Sequence, residues 1–126
     1  MAGIIIRDAH FPGRAPIESY GNGGFRFAGM SHRGSILSVP SGIYGWSPEG
    51  VIDTTTLSRV LDEADVIDVL LVGTGREMGM LAPDLAAALR ARGIVADAMS
   101  TGAAVRTYNV LLAEDRAVAA ALIAVD

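Results

Sequence analysis

The run Val66-Ile67-Asp68-Val69-Leu70-Leu71-Val72, apolar except at Asp68, passes directly into Gly73-Thr74-Gly75-Arg76-Glu77. A segment that is apolar on successive rather than alternate residues suits a strand covered on both faces, the mark of a parallel-type sheet with helices packed on it. The glycine-flanked turn at the end of such a strand is where these sheets keep their binding sites. One fixed positive charge, Arg76, stands there.

Helical signals surround this strand. Pro83 fits the first position of a helix, where its missing N–H is not needed, and the spacing predicts a helix from Pro83 to Arg92 with Gly93 as its C′ residue. Ile94–Met99 reads as the next strand. Ser100 or Thr101 then caps a helix through about Glu114 that buries Ala104, Tyr108, Leu111 and Leu112. Asp53 or Thr54 caps an earlier helix running to about Ala64, with Leu57, Val60 and Leu61 on its inner stripe. The last segment, Ala117–Val125, is apolar almost throughout.

The first half differs. Ile17–Tyr20, Gly24–Phe27 and Gly34–Val39 read as a small antiparallel meander turning at Gly21-Asn22-Gly23 and at Met30–Arg33. Phe25 and Phe27 alternate with Arg26 as a half-buried strand requires. Pro40, Gly42, Gly45 and Pro48 punctuate the stretch holding Ile43, Tyr44 and Trp46, which is expected as a short edge segment. The fold class is α/β: a sheet with flanking helices, preceded by the meander, in a single domain spanning residues 1–126.

Composition narrows the function. Hydrophobic residues make up 51% of the 126 and charged residues only 19%, below the roughly 25% of ordinary soluble domains. A surface so short of charge is expected to hide an apolar patch, in a homodimer or against a protein partner, the alternative being an unusually alanine-rich core. A net charge of −4 argues against nucleic-acid or anionic-membrane binding. All 10 basic residues are arginine, which excludes lysine chemistry and suits contacts to carboxylate or phosphate, although a GC-rich genome accounts for the bias more simply. The lack of cysteine excludes thiolate nucleophiles, iron–sulfur ligation and thiolate zinc sites. Ile4-Ile5-Ile6 is too short for a signal-peptide core and no segment is long enough to span a bilayer, so the chain reads as cytoplasmic.

No catalytic constellation is complete. The third glycine of a dinucleotide fingerprint should stand at Met78, whereas the glycine is Gly79, and Pro83 delays the helix that would receive the pyrophosphate. His10 and His32 have no metal-ligand spacing and are expected at the surface; no metal and no cofactor is called for. What remains is a candidate anion pocket, in which the backbone of Gly73, Thr74 and Gly75, the Arg76 guanidinium, Thr101, Arg106 and Tyr108 converge on two neighbouring strand ends. Against it stand a tight loop, and a helix start packed closely through Gly102, Ala103 and Ala104. Asn109 is expected as a satisfied buried amide. Met78, Met80 and Leu81 can serve as an adaptable apolar surface or as core filling.

Gly34-Ser35-Ile36-Leu37, Val72–Glu77 and Arg106–Arg116, in that order, resemble a small domain-of-unknown-function family. That family has archaeal and bacterial members and includes the mitochondrial respiratory complex I assembly factor 3 and an adipogenesis-associated cytosolic protein. The resemblance runs from about Ile17 to Val125. It implies a three-layer α/β fold with a mixed sheet and a cleft, commonly dimeric, and brings no established catalytic residues. Two readings follow: a non-catalytic interaction or assembly protein, linked to respiratory machinery by the resemblance, and a binding protein or enzyme for a small anionic ligand.

Overall fold

The structure, a computed structural model, describes residues 11–126; Ile4–Ile6 and His10 lie outside the described residues. Strands β1 (Phe11–Pro12), β2 (Ile17–Gly21), β3 (Gly24–Phe27), β4 (Met30–Arg33), β5 (Ser35–Val39) and β6 (Gly42–Trp46) come first. Helix α1 (Ser58–Asp62), a 3-10 turn (Ala64–Val66), β7 (Val69–Gly73), α2 (Pro83–Ala91), β8 (Val95–Met99), α3 (Thr101–Ala113) and β9 (Val118–Leu122) follow. Among the described residues the main sheet has 6 strands in the order β1-β6-β5-β9-β7-β8, and β2-β3-β4 form a separate sheet of 3.

The main sheet is mixed. β7 runs parallel to β8 and β9, while β5 pairs antiparallel with β6 and β9. Its centre is the apolar tail of the chain, where Val118 to Leu122 are all buried. Alternate residues face opposite layers. Ala119, Ala121, Leu70, Val72, Leu37 and Val39 pack against Leu57, Val60, Leu85 and Leu89 of α1, α2 and their flanks. Val118, Ala120, Leu122, Leu71 and Ile36 pack against Ala104, Val105 and Tyr108 of α3 and against Phe25 and Phe27 of the meander. Helices, sheet, and helix with meander are the three layers expected from the resemblance.

Strand order dictates which helix goes where. The chain steps from β7 to β8 through α2 and back across β7 to β9 through α3. Reversing direction at a constant crossover hand sends the helix to the other face, so α2 and α3 flank the sheet on opposite sides. The loops after β7 and β8 leave the sheet beside each other at its C-terminal edge.

Several boundaries differ from the sequence reading. The expected Met30–Arg33 turn is strand β4, because the chain reverses at Ala28-Gly29, whose φ angles of 51° and 74° match the paired positive φ of a two-residue hairpin turn. The meander is therefore β2-β3-β4, and Ser35–Val39 joins the main sheet instead. Helix α1 starts at Ser58 rather than at the cap: Asp53 Oδ1 does accept the Thr56 N–H at 2.9 Å, but the β-branched run Thr54–Thr56 forms turns before the helix. Val66 and Ile67 precede β7, Val66 being exposed in the 3-10 turn. Pro83 and Ser100 open α2 and α3 as read from the sequence. The β6 edge is partly covered by β1, through Phe11 opposite Ile43 and Pro12 opposite Gly42.

Candidate functional site

The C-terminal ends of β7, β8 and β9 meet the start of α3 in a closed ring of hydrogen bonds. Thr101, fully buried, accepts the Gly75 N–H on Oγ1 at 3.0 Å and donates that hydroxyl to the Ile123 carbonyl at 2.7 Å. Its own N–H donates to the Gly75 carbonyl at 2.7 Å, the Ile123 N–H to the Gly73 carbonyl at 2.9 Å, and the Thr74 N–H to the Met99 carbonyl at 2.9 Å. Gly75 enables this with φ at 113°, a region that side chains beyond glycine rarely enter. The Thr74 hydroxyl accepts the Gly79 N–H at 2.7 Å and lies 2.8 Å from the Glu77 carbonyl, closing the loop on itself.

Gly73 explains the absence of a side chain at the strand end. A Cβ there would stand 2.9 Å from Thr101 Cα and 3.0 Å from Leu122 Cδ2. Gly73→Ala is accordingly expected to lower the unfolding free energy by about 1–3 kcal/mol, read as a shift in the urea midpoint at constant m-value.

The residues singled out from sequence thus divide. Gly73, Thr74, Gly75 and Thr101 come together, with the Thr74 and Gly75 N–H groups and the Thr101 hydroxyl engaged inside the fold. Arg76 and Arg106 are exposed. The Arg106 Nη1 lies on the Gly102 face, 3.6 Å from where a Cβ on Gly102 would be, and the Tyr20 hydroxyl closes over the same glycine. Tyr108 lies elsewhere, buried beneath the sheet: its hydroxyl is 2.6 Å from Ser38 Oγ and donates to the Ala15 carbonyl at 3.3 Å. Burial pushes its pKa above the ordinary tyrosine value, against smaller opposing effects of the Ser38 hydrogen bond and the Arg14 charge. Asn109 is satisfied as read from sequence but only partly buried, its amide exchanging two hydrogen bonds with the Ile17 backbone at 2.8 and 2.9 Å.

Two concave surfaces lie on and beside the meander, and a third lies under the loop after β7. A cleft of about 580 Å³ sits on the meander between Tyr20, Asn22, Arg26 and Arg33. A second of about 370 Å³ adjoins it across His32 and Arg33 and is walled by Tyr44, Trp46 and Arg59. His32, expected at the surface, is only 9% exposed, because β4 packs it inward opposite Phe25. A shallow apolar hollow of about 220 Å³ lies under Met78, Met80 and Leu81, against Ala86, Ala96 and Ala98. Met80 is 89% and Met78 67% exposed. Core filling, the alternative use of these methionines, does not describe them. Among the described residues no group of three His, Asp or Glu side chains gathers to hold a metal ion.

A mixed α/β sheet whose strand-end crevice is filled by its own threonine, with its hollows at the meander and beside the edge strand, defines a class of small three-layer domain. Residues 17–123 match the family described as Protein of unknown function (DUF498/DUF598), and the chain belongs to that family. An uncharacterized protein of Rhodobacter capsulatus is 41% identical over 117 residues, covering 93% of this chain and 90% of its own. The NADH dehydrogenase (ubiquinone) 1 alpha subcomplex assembly factor 3 of Mus musculus is 32% identical over 124 residues, 95% of this chain; the chain spans 66% of that relative's length. Among solved structures, a Bartonella henselae chain described as an outer membrane protein superimposes with a TM-score of 0.90 at 64% identity, covering 93% of this chain and 100% of its own. In the chain described here, no helix among the described residues is long and apolar enough to cross a membrane.

Proposed function

We propose that this chain is a non-catalytic docking protein, a single folded unit that uses the Met78–Leu81 loop and the adjoining edge of the sheet to hold another protein during assembly. The observation that carries it is the exposure of Met78 and Met80 over an apolar hollow, beside β8, which ends the sheet among the described residues. Val95 on that strand is 60% exposed. Flexible methionines over small alanines make a surface that can repack around a partner, and β8 offers unpaired backbone groups for it to engage. Membership in a family with a named assembly factor of NADH dehydrogenase supports the same reading and gives the partner class to test. A second copy of the chain is the competing occupant, giving a homodimer. We assign the protein to the cytoplasm, in keeping with a chain that has no cysteine.

The test compares the tagged wild type with a Met78→Asp/Met80→Asp variant of equal thermal stability. The wild type is expected to enrich NADH dehydrogenase subunits from the soluble fraction, and the variant to lose that enrichment by tenfold or more, because a charge at the centre of an apolar contact is left desolvated. Equal recoveries overturn the docking surface. A wild type that sediments as a dimer while the variant sediments as a monomer assigns the loop to self-association instead. Recovery only with the outer-membrane fraction overturns the cytoplasmic assignment.

A further inference from the structure

We propose that the cleft between β4, β6 and α1 binds a small organic anion, its carboxylate or phosphate group held by Arg33 and Arg59. The proposal is independent of the docking surface, since β6 and β8 lie toward opposite edges of the main sheet. The hollow has about 370 Å³, within the range of small-molecule sites. In a chain where 14 acidic residues outnumber 10 arginines, its lining among the described residues, His32, Arg33, Tyr44, Trp46 and Arg59 with Gly34, Gly45 and Ser47, contains no carboxylate.

Among the described residues, the absence of an acid paired to Arg59 is a matter of geometry. Glu63 stands four residues after Arg59, the spacing at which a helical arginine ordinarily meets an acid. Here that carboxylate is turned to Ser41, taking its N–H at 2.9 Å and its hydroxyl at 2.5 Å. Arg59 instead sits over the Tyr44 ring, its guanidinium carbon 3.8 Å from the ring centroid. Tyr44 is fixed in turn by a 2.8 Å hydrogen bond between its hydroxyl and the same Ser41 Oγ. The stack orients the planar fork and leaves its N–H edge for bidentate recognition of an oxyanion.

Arg33 ends β4, where its partner across the hairpin is Gly24, so no acid faces it in the pairing. Neither arginine has an ion pair among the described residues, in contrast to Arg26 on the same meander, which pairs with Glu18 at 3.4 Å. Trp46 closes the wall rigidly, its indole N–H donating to the Thr56 carbonyl at 2.8 Å. Two guanidinium groups that line a walled hollow and have no ion pair among the described residues form a site for an anion whose body packs on the aromatic side.

Trp46 is the only tryptophan, so its emission reports on this cleft directly. Titration with inorganic pyrophosphate and separately with citrate, at fixed ionic strength with sodium chloride as control, is expected to give a saturable change for at least one probe. The arm that saturates distinguishes phosphate from carboxylate chemistry. Arg33→Ala and Arg59→Ala should each raise the dissociation constant about tenfold or more, and Arg59→Lys should recover only part, because a lysine keeps the charge but loses the fork and the stack. Arg76→Ala should bind as the wild type does. No saturable response to either probe overturns the proposal, as does a response that persists unchanged in Arg33→Ala and Arg59→Lys variants of wild-type melting temperature.

Discussion

Replacing Thr101 by valine, which keeps its shape and removes only the hydroxyl, is expected to lower the unfolding free energy by about 2–4 kcal/mol. The side chain is completely buried, and its one oxygen serves both the Gly75 N–H and the Ile123 carbonyl. Valine leaves a buried donor and a partly buried acceptor without partners, and an orphaned buried polar group costs about 1–3 kcal/mol. Thr101→Ser keeps both bonds and loses one methyl group, so its loss should stay near 1 kcal/mol. Urea denaturation of the three proteins settles the matter through the midpoints at constant m-value. If valine proves as stable as serine, the hydroxyl is not what ties the loop after β7 to the end of β9.

The same ring shows what a sequence can reveal about such a site. Ser100 and Thr101 announce a helix start because a cap is a local device, and the strands on either side of Gly73–Arg76 follow from short apolar runs. Their adjacency was therefore readable. The ring itself was not, because the acceptor that completes it is Ile123, just past Val118–Leu122, an alanine-rich run that becomes a central strand only through pairing with β5 and β7. Backbone groups that seemed free to hold an anion are engaged by a residue 26 positions away.

Where a decision depended on long-range partners, local patterns were silent. The reversal at Ala28-Gly29 carries a positive φ on an alanine, a conformation with no composition signal, so β4 and the inward turn of His32 were hidden with it. Arg59 and Glu63 have the spacing of an ion pair, yet Ser41, 22 positions before Glu63, takes the carboxylate. The arginine cleft depends on that substitution of partners and could not be read from spacing. Pro83 and Gly93, by contrast, bracket α2 as expected, since each acts within a few residues of the helix end it marks.

Tyr108→Ala should be the most damaging single replacement considered, removing about 3–5 kcal/mol. The ring is fully buried among Ile36, Leu71, Ala120 and the two meander phenylalanines, so its loss opens a cavity at the junction of sheet, α3 and meander. Tyr108→Phe separates the hydroxyl from the ring. It leaves Ser38, fully buried and 70 positions distant, without its partner at 2.6 Å, and is expected to lose about 1–3 kcal/mol, part of which a second change, Ser38→Ala, should recover by removing the orphan. Alkaline pH supplies an independent check. Burial raises the folded pKa of Tyr108 above its unfolded value, so the stabilisation it provides is complete below pH of about 10 and declines above it, as the unfolded chain releases a proton that the folded chain retains. Between pH 10 and the folded pKa, wild-type stability should therefore fall by up to about 1.4 kcal/mol per pH unit more than that of Tyr108→Phe, measured by urea midpoints at pH 8 and pH 11. Parallel declines would place the hydroxyl in contact with water and break the link drawn here between α3 and β5.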